Sequence, residues 1–176
     1  MIGILQRGRV ADPTLTLVGE MVRLMHDRWG TLPSHVWRDP YVLAYMQIVI
    51  AGLLSSRADG DSGDEDHHLA VARVWRQATG QHPFCLLQKM SVPWAERGID
   101  AQRGAQDAAL WLAFYTRRPD LADPHVRKVL EVVEGREHDG LVAFGELGSS
   151  LAAAAGMLFC SSILRRVGAL AQAAAA

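Results

Sequence analysis

A chain of 176 residues suffices for one domain with a sizeable core, since at that length roughly 70% of the unfolded surface can be buried. Its 49% hydrophobic content argues against disorder, and 18 basic against 19 acidic residues leave a net charge of −1. So even a balance supplies no global field to attract nucleic acid or anionic lipid, and proteins are the expected partners.

The opening "MIGILQRGRVADP" has no basic start followed by a long apolar run, so a cytoplasmic chain without a signal peptide is expected. Cys85 and Cys160 lie in the apolar contexts "PFCLL" and "MLFCSSIL" and have no CxxC spacing. Buried thiols in a reducing compartment are expected. The pattern calls for no cofactor.

Three Asp-Pro pairs then punctuate the chain: Asp12-Pro13, Asp39-Pro40 and Asp123-Pro124. An aspartate accepts from the orphan N–H groups of a helix start, and proline suits the first helical position, where a missing donor costs nothing. The first pair predicts helix 13–28, stopped by Gly30. The second predicts helix 40–57, "PYVLAYMQIVIAGLLSSR". It is apolar on every side except at Gln47, as expected of a buried central helix.

The next stretch, "DGDSGDEDHH" from Asp59 to His68, packs five carboxylates and two imidazoles into ten residues. Asp59, Asp61, Asp64, His67 and His68 are metal-ligand types. However, an EF-hand frame fails from Asp59, where position 12 is Ala70, and from Asp61, where it is Ala72. Adjacent His67 and His68 would point about 100° apart on a helix. The stretch fits a helix start better: Ser62 and Glu65 form a capping box, and the carboxylates meet the positive end of the macrodipole. A helix is predicted over 63–79, followed by a short segment at 83–90.

Asp100 is read as the cap of a helix over 101–117, and Asp123-Pro124 opens another over 124–138. On the latter, Glu131, Glu134 and His138 share one face opposite Val126, Val129, Leu130 and Val133, which points them to solvent. From Leu141 onward the chain reads as Ala/Gly/Ser-rich helix. Between Leu147 and Leu164 it carries 18 residues without a charge, eleven of them Gly, Ala, Ser or Cys. Small residues gain little from lipid but permit close helix approach. Gly148, Ala152, Gly156 and Phe159 are therefore read as an interaction surface.

No stretch alternates long enough for a strand. The expectation is a single all-α domain over 1–176, a bundle of about six to seven helices around the central helix 40–57. Its expected role is a non-enzymatic protein–protein interaction or assembly module, acting on a protein partner or as a homo-oligomer.

One competing pattern is "LMHDRWG", Leu24 to Gly30. Its His26-Asp27 pair resembles the His-Asp dyad of the HD phosphohydrolases, an all-α family. The resemblance implies a metal-activated water held by an earlier His, the dyad and a later Asp. It covers seven residues, and no His precedes His26. The alternative function is thus a metal-dependent hydrolase using His26 and Asp27 or the 59–68 cluster.

Overall fold

The computed structural model describes residues 12–56, 64–120, 122–138 and 147–174, and among these there is helix and no strand. The α-helices are α1 (Pro13–Trp29), α2 (Pro40–Ser55), α3 (Asp64–Thr79), α4 (Phe84–Met90), α5 (Ile99–Tyr115), α6 (Pro124–His138), α7 (Leu147–Phe159) and α8 (Arg165–Ala173). A π turn over Cys160–Leu164 joins α7 to α8 without a break, so these two form one continuous rod.

All three Asp-Pro pairs open helices. Asp12 accepts from the Thr14 amide, Asp39 from those of Tyr41 and Val42, and Asp123 from that of His125. Helix α2 is the core: Val42, Tyr45, Met46, Val49 and Ile50 are fully enclosed. Gln47, a polar residue in mid-helix, is also buried and accepts a hydrogen bond from Arg97.

The most extensive packing is between α2 and α5. It relies on small residues: Ala101, Gly104 and Ala108 of α5 are buried. A Cβ at Gly104 would collide with the backbone carbonyl of Tyr41, so only glycine lets the two backbones approach this closely. The close helix crossing that glycine permits is therefore here, at a position where the sequence showed only an isolated glycine within a helical pattern.

The start of α5 departs from expectation. The helix begins at Ile99, after Gly98, and no side chain caps it. Asp100 lies inside the first turn, and its carboxylate accepts from Arg166 of α8 at 3.1 Å. Cys160 is exposed rather than buried, while Cys85 is half-buried. Trp37 and Trp75 pack edge to face in the core, with ring centroids 5.8 Å apart, and their neighbours Arg38 and Arg76 face out.

The C-terminal rod finds its cover within the chain: Leu151, Ala154, Leu158, Ile163 and Val167 are buried. Against it, the Trp29 ring packs on Gly168, where a Cβ would strike the indole. The segment Ala154–Ala173 is long and apolar enough to cross a bilayer by length and composition alone.

Candidate functional site

The metal-type residues do not converge. Asp59 and Asp61, like Ser62, lie outside the described residues. Asp64 opens α3, His67 is half-buried beyond it, and His68 is exposed. His26, near the end of α1, has its Nδ1 3.0 Å from the Gly30 carbonyl oxygen, and its ring lies 6.3 Å from that of Trp37. Asp27 is exposed. Among the described residues no group of three or more His, Cys, Asp or Glu side chains is placed to hold a metal ion. On α6, Glu131 is exposed, as its position on the helix predicted.

Two of the four predicted interface residues meet at a groove. Leu17, Glu20, Met21 and Leu24 of α1 face Trp111 and Tyr115 of α5 and Gly156 of α7 across a cleft of about 490 Å³. Phe159 forms part of its floor and is otherwise buried in the core, whereas Gly156 is exposed with open space above it. Leu24 and Tyr115 stand beside the cleft as apolar ridges, 47% and 42% exposed. Tyr115 stacks on Trp111 at 4.8 Å between centroids, which fixes its ring in place. Gly148 and Ala152 belong to α7.

The groove ends at an unusual residue. Arg117 adopts φ +56°, the left-handed region that side chains with a Cβ rarely enter. It terminates α5 in a Schellman arrangement: its own amide donates to the Phe114 carbonyl, and that of Arg118 to the Ala113 carbonyl. Glycine normally fills this position; a side chain there costs about 1 kcal/mol. The arginine lines the groove from α5, and Glu20 lines it from α1.

A second, polar cleft of about 390 Å³ opens where α2, α5 and the C-terminal rod meet, between Tyr41, Asp107, Ser162 and Arg166. Arg166 grips Asp39 with two bonds, Nε to Oδ1 at 3.2 Å and Nη2 to Oδ2 at 2.7 Å, and reaches Asp100 with the same Nη2. Hydrogen bonding to Asp39, reinforced by the charges of both aspartates, raises the guanidinium further above its usual value despite partial burial. Asp39 thus caps α2 and anchors α8 at once. The Tyr41 hydroxyl donates to Asp107, and burial followed by that carboxylate pushes the phenol well above its ordinary range. Burial does the same to Tyr45. Ser162, in the π turn, bonds the Leu158 carbonyl and lies by both phenols. This network joins three elements, and so reads as a structural clasp.

Sequence reasoning missed Arg97, Arg117, Arg166 and Gly104. For Arg117 the one available signal was the end of α5 itself, predicted at 117 with no glycine after it. No protein family model matches the chain, and comparison with curated proteins and with solved structures gives no match.

Proposed function

We propose that the protein is a helical interaction module of the cytoplasm, and that its groove between α1, α5 and α7 pairs with the same groove of a second copy. The observation that carries this reading is the side-by-side placement of an apolar cleft and the exposed ridges Leu24 and Tyr115. A two-fold contact needs a self-complementary face, on which each residue meets a different residue of the partner and the relation is returned. Ridges beside a cleft provide the shape, and Glu20 on one wall with Arg117 on the other provides the charge.

Gly156 adds close approach, since nothing stands above its Cα. The strained Arg117 fits the same reading: a conformation that glycine would adopt more cheaply is kept with an arginine whose side chain serves the groove. Burying exposed leucine and tyrosine surface supplies the affinity, at about 25 cal/mol per Å² of apolar area before the cost of association.

Sedimentation velocity tests the reading. The native chain should sediment as a concentration-dependent dimer. Leu24→Asp, at a half-exposed position, should leave helicity and melting nearly unchanged while the mass falls to that of a monomer. A Leu24→Asp chain that associates like the parent would refute the assignment of the surface.

A further inference from the structure

A third cleft, of about 330 Å³, lies between α2 and the start of α5, away from the groove. Leu43, Ala44 and Val92 give it an apolar lining, and its charged lining is Arg97 and Lys89 against Glu96 and Asp100, the last engaged by Arg166. Arg97 is only 7% exposed. Its Nε donates to the Val92 carbonyl at 2.9 Å, Nη1 to Gln47 Oε1 at 2.9 Å and Nη2 to the Met90 carbonyl at 3.3 Å, and the guanidinium lies 3.6 Å from the centre of the Trp94 ring. A guanidinium has five N–H groups, so one on each Nη remains unused. No carboxylate among the described residues pairs with it. Burial without a counter-ion lowers its affinity for its proton.

A buried cation is normally matched by an anion. Arg166 has two carboxylates and Arg97 has none. Beside Arg97, the uncapped first turn of the 17-residue α5 opens into the same cleft through Gly98, Ile99 and Asp100. Free N–H groups and the positive end of a helix favour an anion there. The uncompensated guanidinium is the independent feature, since it would want an anion whatever the helix did.

We propose that this cleft binds a small organic carboxylate, with its head between Arg97 and the α5 N-terminus and its apolar body over Leu43, Ala44 and Val92. A carboxylate matches the two free N–H groups of a guanidinium. The apolar lining selects an acid with a hydrocarbon body over a bare inorganic anion.

Isothermal calorimetry on the full chain tests this with hexanoate, hexan-1-ol and inorganic phosphate as probes. Hexanoate should bind one to one, and the alcohol and phosphate at least about tenfold more weakly. Arg97→Gln should weaken hexanoate by about tenfold or more. Because Arg97→Gln removes a buried group and could unfold the chain, Ile99→Glu serves as the second variant. Ile99 is 64% exposed at the cleft, so the change removes no buried contact and places a further carboxylate at the site. It should weaken hexanoate comparably. Failure of the native chain to bind hexanoate overturns the proposal. So does equal binding of hexan-1-ol, equal binding of phosphate, or undiminished binding of hexanoate to either folded variant.

Discussion

The two sides of α5 are built differently. Toward α2, small residues bring the backbones together, Gly104 leaves no room for a Cβ, and the ends of the contact are tied by the clasp of Asp39, Arg166 and Asp100. Away from it, Trp111 and Tyr115 border an open groove whose apolar ridges face outward. The closed side is joined by close backbone approach and by ion pairs, with the cleft beside Arg97 at the start of α5, so it carries stability. The open side presents uncovered apolar ridges and charged walls, and it also holds the backbone strain at Arg117. Substitutions should separate accordingly: those on the closed side should change melting, and those on the open side should change association.

The largest effect is expected at Asp39. Asp39→Ala removes the cap of α2 and the main partner of Arg166, and should cost about 2–4 kcal/mol in urea unfolding. The pair is partly buried, with Asp39 at 8% and Arg166 at 34% side-chain exposure, so the full cost of breaking a buried pair is not expected. Asp39→Asn, which keeps a capping oxygen, should lose less. Gly104→Ala comes next. Its Cβ must push α5 off the Tyr41 carbonyl, at a cost of about 1–3 kcal/mol, or a drop of roughly 3–10 °C in melting temperature. A melting temperature within a degree of the parent would mean that the α2–α5 contact is looser than the structure shows.

The smallest effect has the opposite sign. Arg117→Gly relieves a left-handed residue but loosens the unfolded chain, and should stabilise by about 0.5–1 kcal/mol. The same change removes half of the charge pair on the groove, so the more stable chain should associate less. A variant that gains stability and keeps full association would dissociate the strain from the groove's role.

Features that act locally were legible in the sequence on either side of α5, and those that need a partner distant in the chain were not. Asp-Pro pairs act locally, through a carboxylate and the next two or three amides, so they can be read from adjacent residues. The all-round apolar run of α2 likewise identifies the central helix without knowledge of its neighbours. By contrast Asp100 carries a local cap signal but lies within the helix, in an ion pair with Arg166, 66 residues away. Gly104 looks like an ordinary weak point in "QRGAQ" until α2 is placed against it. Arg97 sits in "SVPWAERG", a turn pattern that says nothing of burial, and its guanidinium donates to Gln47 and two backbone carbonyls inside the fold. Of the residues that line the groove, Gly156 was named from the spacing of small residues and Phe159 as an apolar neighbour in need of cover. The other wall, on α1 and α5, needed the tertiary arrangement.

Charge reversal across the groove tests the central claim most directly. Glu20→Arg and Arg117→Glu are made separately, and each chain is measured by sedimentation equilibrium alone and then in an equimolar mixture. In a two-fold dimer each single reversal sets like charges against each other at both symmetric positions, while the mixed pair restores opposite charges at both. The account predicts that each variant alone is mostly monomeric and that the mixture recovers the dimer of the native chain. A mixture that stays monomeric while the native chain dimerises, or a native chain that is itself monomeric, would contradict it.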